Sequence, residues 1–113
     1  MKNILFVCSA NKQRSKTAED YFSEIYSDLS FSSAGTNIKL CQKEGTNPLS
    51  EINLQNADLI FVMETKHKNQ INLKTKNKYS KKIETLNIPD IYKYYQNELI
   101  EILIQKVTKK LGE

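Results

Sequence analysis

The stretch Ile4-Leu5-Phe6-Val7-Cys8-Ser9-Ala10-Asn11-Lys12-Gln13-Arg14-Ser15 decides how this chain is read. Four consecutive apolar residues without alternation suit a short strand buried on both faces of a parallel sheet. From Ser15 the period changes. Ala18, Tyr21, Phe22, Ile25 and Tyr26 recur at intervals of three and four, with Lys16, Glu19, Asp20 and Glu24 between them. That spacing predicts an amphipathic helix ending near Asp28. Cys8 therefore ends a strand, a tight loop follows, and the helix begins near Arg14 or Ser15. Arg14 is the only arginine among seventeen basic residues.

Working outward, residues 29–33 read as a second, weaker strand running into Ala34-Gly35-Thr36. Residues 37–48 contain Gly45, Asn47 and Pro48 and read as loop. Ser50 is placed to cap a short helix through Ala57, residues 58–63 form another buried strand, and a helix follows from Glu64 or Thr65. Residues 83–88 are the last strand, poorly alternating. Leu99, Ile100, Leu103, Ile104, Val107 and Leu111 line one side of a final helix, with Lys109 and Lys110 near its cation-favouring end. Strands alternating with helices imply an α/β fold with a parallel sheet covered on both faces. Ligands of such sheets bind beyond the carboxyl ends of the strands. Cys8 stands at one.

A tight loop wrapped ahead of a helix N-terminus turns backbone N–H groups inward and makes a site for phosphate or a related oxyanion. Arg14 adds a planar fork of donors matched to two oxygens, which Lys cannot supply. The same field favours the thiolate form of Cys8, with Ser15 expected to donate a hydrogen bond to it. Asn11 is expected to take the positive φ that such a loop needs. The competing reading of these residues is a buried Cys acting as a small core hydrophobe, followed by a helix that begins with a basic residue.

The residues resemble a known family. The stretch 4–22 is similar to the N-terminus of the low-molecular-weight protein tyrosine phosphatases, with Cys8, Asn11, Arg14 and Ser15 on the Cys-x5-Arg-Ser motif and Thr17-Ala18-Glu19 after it. Phe31-Ser32-Ser33-Ala34-Gly35-Thr36 resembles the family's Ser-Ala-Gly-Thr segment, and residues 57–67 resemble its third strand with the acidic residue that follows. The matches are collinear from residue 3 to about 103. Ala10 replaces the usual Gly, Gln13 a second Cys and Lys16 a Pro, and the loop after the Ser-Ala-Gly-Thr segment is short. A compact branch of predicted tyrosine phosphatases shares the Ile-Pro-Asp-x-Tyr segment found here at residues 88–92.

The resemblance implies a three-layer sandwich with a four-stranded parallel sheet in the order 2-1-3-4, and a two-step phosphomonoester hydrolysis without metal or cofactor. Cys8 is the expected nucleophile, Asp90 the general acid and then base, and Arg14 the oxyanion clamp. Ser9, Ala10, Asn11, Lys12, Gln13 and Ser15 form the expected cradle; Tyr92, ahead of Tyr94 and Tyr95, is the candidate to wall its entrance, the alternative being that one or two of these tyrosines pack the last helix. Cys41 reads as a free thiol, and as the one available partner for an oxidised Cys8. Glu64 has no assigned role, and His67 reads as a surface residue at the start of a helix.

The totals narrow the class. A chain of 113 residues forms one domain. No stretch reaches the ~20 apolar residues of a membrane span. Lys2 and the run behind it do not make a signal peptide, and two cysteines without one suggest reduced thiols in the cytoplasm. The net charge of +4 comes from Lys spread along the chain, without the Arg and interleaved aromatics of single-strand nucleic-acid binders. The expected partner is a phosphorylated protein or a small phosphomonoester, met by a monomer. Two other functions fit the loop: a non-catalytic phosphate or phosphopeptide binder, suggested by Ala10 and Gln13, and an arsenate reductase, for which relay thiols are lacking.

Overall fold

A computed structural model of the chain describes residues 2–111. The elements run β1 (Lys2–Cys8), α1 (Arg14–Ile25), β2 (Leu29–Gly35), α2 (Ile38–Glu44), α3 (Glu51–Asn56), β3 (Leu59–Val62), α4 (Thr65–Thr75), β4 (Ile83–Thr85) and α5 (Asn97–Val107). Short 3₁₀ turns stand at Ser80–Lys82 and Thr108–Lys110. All three strand pairings are parallel, and the sheet order is β2-β1-β3-β4, as expected from the resemblance.

The unalternating run of β1 is buried because both its faces are covered. Ile4, Phe6 and Cys8 point to one side, into a cluster with Ala18 and Phe22 of α1 and Leu99, Leu103 and Val107 of α5. Leu5 and Val7 point to the other, into a cluster with Leu54 of α3 and Ile71 of α4. Phe6 centres the first layer, its ring 5.5–6.1 Å from those of Phe22, Phe31 and Phe61 in stacked arrangement. Stacked aromatic pairs of this kind add about 0.5–1.5 kcal/mol each beyond burial.

This layering positions the site. The chain leaves β1 for β2 through α1 on one face, and reaches β3 through α3 on the other. The carboxyl end of β1 is therefore the switch point of the sheet, where the two crossovers part and leave a crevice. Cys8 sits at that point, paired in register with Gly35.

One segment departs from the sequence reading. Residues 37–48 are not all loop, since α2 lies within them. Asn37 caps it by accepting from Leu40 N–H, and Gly45 ends it in the left-handed region at φ 74°. Gly45, which read as a turn former, is one end of that helix, and Asn37 is the other. The last strand is also shorter than expected, although Leu86 N–H and Ile88 N–H still donate to Val62 O and Met63 O and carry the chain along β3.

At the end of β2, Gly35 is in close contact on its α-carbon side. A Cβ placed there would lie 2.5 Å from Cys41 Sγ and from Ser9 O, and 3.0 Å from Asn11 N. Two of these are backbone atoms of the Cys8–Arg14 loop, which cannot rotate away. We expect Gly35→Ala to lower stability by about 1–3 kcal/mol, the usual range for overpacking, and to weaken oxyanion binding with it. Urea unfolding and phosphate titration would check the two effects.

Candidate active site

The loop between β1 and α1 is held from outside by its carbonyls. Cys8 O accepts from Thr36 N–H at 2.9 Å and Ser9 O from Asn37 N–H at 3.0 Å. Ala10 O accepts from the Thr46 hydroxyl at 2.6 Å, with Cys41 Sγ at 3.5 Å. With these carbonyls turned toward residues 36–46, the loop's amides are left to the opposite side. Among the described residues, the N–H groups of Ser9 to Gln13 donate to no protein acceptor. Asn11 takes the expected positive φ, at 55°.

Asn11 also fixes the thiol. Its Oδ1 accepts from Asn47 N–H at 3.1 Å, so its amide nitrogen faces Ser15 and donates to Oγ at 2.8 Å. Ser15 Oγ lies 3.0 Å from Cys8 Sγ. With Asn11 donating to its oxygen, Ser15 keeps its own proton to give to sulfur, and a Cys8 thiolate, which has no proton, can only accept it. A donor aimed at sulfur stabilises the thiolate, which is the nucleophilic form. The expected contact between Ser15 and Cys8 is present, with Asn11 behind it.

Arg14 is almost wholly buried, at 2% exposure. Its Nη1 donates to Glu64 Oε2 at 2.5 Å and to Ile88 O at 2.7 Å. Its Nε lies 3.8 Å from Asp90 Oδ1. The Nη1 corner is committed to the protein, and the Nε–Nη2 edge is the bidentate edge that remains for a ligand. The Arg14 guanidinium in turn holds the Glu64 carboxyl below the usual carboxylate range.

Cys8, Ser9, Ala10, Lys12, Gln13, Arg14, Leu40 and Asp90 line one cavity of about 130 Å³. Every loop residue singled out by the sequence is here or directly behind it. Asn11 and Ser15 stand behind, as supports. Lys12 is exposed at the rim and pairs with Glu44 of α2 at 2.9 Å. Asp90 reaches the cavity from the segment beyond β4, where it is exposed.

Tyr92 is a correction. It does not line the cavity but packs, half-buried, against the cluster around Phe6 and α5. Tyr94 donates to Asp20 Oδ2 on α1 and Tyr95 N–H to Thr17 Oγ1, so neither tyrosine walls the entrance. The apolar wall residue is Leu40, on the helix that the sequence concealed.

His67 is the second correction, since it is fully buried. Glu64 precedes α4 and His67 sits in its first turn. They form a reciprocal cap, with Glu64 N–H donating to His67 Nδ1 at 3.1 Å. His67 Nε2 lies 2.9 Å from Ser9 Oγ. The sequence signal for this pair was the Glu-x-x-His spacing at a helix start, in which His takes the place of the Glu or Gln of a common capping box.

No family model matches the sequence, and no curated protein does. Solved structures match over the whole chain. A low-molecular-weight protein tyrosine phosphatase from T. tengcongensis is 27% identical, with a TM-score of 0.71 over 98% of this chain and 100% of its own. A mutant of YwlE from Bacillus subtilis is 25% identical, with a TM-score of 0.73 over 100% of both chains. The tyrosine phosphatase Wzb from Escherichia coli K30, solved in complex with phosphate, is 23% identical, with a TM-score of 0.78 over 98% of this chain and 99% of its own. The fold is that of the low-molecular-weight protein tyrosine phosphatases.

Two outcomes are expected from this geometry. Tyr92→Ala should lower stability by about 1–3 kcal/mol through lost packing while leaving KM for an aryl phosphate unchanged, as measured by urea unfolding and steady-state kinetics. Burial first, and then the Arg14 cation, push His67 down to about 4 from its ordinary 6.5. The unfolded chain therefore takes up this proton at higher pH than the folded one. The stabilising contribution is complete above about 6.5 and is lost as pH falls toward about 4. Unfolding free energies of the wild type should fall more steeply through that window than those of His67→Gln.

Proposed function

We propose that this chain, built on the fold of the low-molecular-weight tyrosine phosphatases, is a cysteine-dependent phosphomonoester hydrolase acting on protein phosphotyrosine. What carries the reading is the convergence on one small cavity of a thiol with a donor aimed at it, a buried guanidinium with its bidentate edge open, and an exposed carboxylate within 4 Å of that guanidinium.

In the first step Cys8 Sγ attacks phosphorus, and the bond from phosphorus to the ester oxygen breaks. Asp90 gives its proton to that oxygen, which leaves as a phenol, and a phosphocysteine remains. In the second step the Asp90 carboxylate takes a proton from water, whose oxygen attacks phosphorus. The sulfur–phosphorus bond breaks, Cys8 returns as thiolate and inorganic phosphate departs. Arg14 and the amides of the Ser9–Gln13 segment hold the equatorial oxygens in both steps. Such positioning and charge stabilisation dominate phosphoryl transfer. Ala10 in place of Gly is compatible with this cradle, because the Ala10 carbonyl is anchored on the far side by Thr46. The chain acts as a monomer with one catalytic domain, in the cytoplasm, where its two thiols stay reduced.

Hydrolysis of p-nitrophenyl phosphate and phenyl phosphate tests the reading. Wild-type turnover should vanish in Cys8→Ser. In Asp90→Asn, kcat should fall about 10²-fold, and further for phenyl phosphate, whose leaving oxygen needs the proton more. Wild-type rates no higher than those of Cys8→Ser would sink the hydrolase reading. If phosphate still bound, and bound more weakly in Arg14→Lys, the site would be a binding module. Turnover of a phosphoarginine peptide in preference to a phosphotyrosine peptide would move the substrate from an O-phosphate to an N-phosphate.

A further inference from the structure

The imidazole of His67 is a buried titratable group for which the two-step reaction has no place. Its surroundings assign its tautomer. Glu64 N–H can only donate, so His67 Nδ1, 3.1 Å away, is the acceptor and carries no proton. In the neutral ring the proton then sits on Nε2, which lies 2.9 Å from Ser9 Oγ. His67 donates and Ser9 accepts. The neutral form holds at ordinary pH, because burial and Arg14 both disfavour the cation.

This direction leaves the Ser9 hydroxyl proton free of His67. Ser9 follows the nucleophile, it is half-buried, and it lines the cavity beside Cys8 and Arg14. Its O–H bond is thereby turned away from the His67 ring. Had His67 carried its proton on Nδ1, the hydroxyl would have been spent on Nε2.

We propose that His67 is a positioning residue: through its Nε2–H it holds Ser9 Oγ as an acceptor, and so directs the Ser9 O–H into the cradle as a side-chain donor to a phosphoryl oxygen. The proposal rests on the phosphatase reading and adds one donor to the amides and Arg14. It also gives Glu64, the residue ahead of α4, two tasks. The Glu64 side chain anchors Arg14, and the Glu64 backbone N–H sets the tautomer that aims Ser9. An uncharged donor here adds no cation beside the buried guanidinium.

The test separates the two bonds of the ring. In His67→Asn, the side-chain oxygen can still accept from Glu64 N–H, but no donor reaches Ser9. In His67→Gln, the longer amide can donate to Ser9. With p-nitrophenyl phosphate, Ser9→Ala and His67→Asn should each lower kcat about 10²-fold, as for loss of one oxyanion donor. The double variant should be no worse than either single one, and His67→Gln should recover most of the loss. Losses that multiply in the double variant would overturn the proposal.

Two readouts are independent of turnover. In the full-length Cys8→Ser protein, ¹⁵N NMR should find the His67 proton on Nε2, and a proton on Nδ1 would overturn the proposal even if no ring variant folds. Inorganic phosphate should bind Cys8→Ser more weakly when Ser9→Ala is added, and unchanged affinity would also overturn it. A wild type without turnover would instead end the phosphatase reading while leaving the tautomer and phosphate measurements to be judged for themselves.

Discussion

A guanidinium with 2% exposure is the constraint around which this structure is arranged. A buried, unpaired cation costs several kcal/mol, so Arg14 requires partners with good geometry. They come from far along the chain: Glu64 beyond β3, Ile88 O beyond β4 and Asp90 at longer range. One side chain at the start of α1 thus gathers the carboxyl ends of β1, β3 and β4. The parallel sheet brings those ends to one edge, and the order β2-β1-β3-β4 puts Cys8 at its centre. Fold and site answer to the same requirement.

The division of labour within the guanidinium follows from its planarity. Committing Nη1 to two protein acceptors fixes the plane, and fixing the plane aims the remaining edge. A lysine could satisfy Glu64 and would still leave nothing oriented. The single arginine in a lysine-rich chain is explained by shape as much as by charge.

Much of this was legible from residues 4–22. An unalternating apolar run, a cysteine, a short loop and a helical period specify a buried strand, a crossover helix and a crevice. Those are consequences of local spacing. Asn11 and Ser15 were legible for the same reason, since both act within a few residues of Cys8. What stayed hidden was of two kinds. α2 is seven residues long and fully buries one of them, Cys41, so it has no apolar period to detect. Its Asn and Gly caps are the same residues that punctuate loops. Tyr92, Glu64 and His67 depend on tertiary partners instead. A tyrosine near a site packs inward or outward according to helices elsewhere, and although the His67 cap is local, its contact with Ser9 and the Glu64 bond to Arg14 join residues at least 50 positions apart. The Arg14 to Ile88 bond uses a backbone carbonyl, which no residue type announces.

The outward tethering of the loop has a consequence for how the cradle comes into being. Its carbonyls are held by residues 36 and 37 and by Thr46, and its arginine by partners 50 and 74 positions away. Contacts that span so much sequence carry a loop-closure cost that must be met before they form. The Cys-to-Arg segment is therefore no anion receptor by itself, either in a peptide or in a nascent chain that ends before β4. The cradle belongs to the completed chain, because the groups that hold Arg14 arrive only with residues 64 and 88.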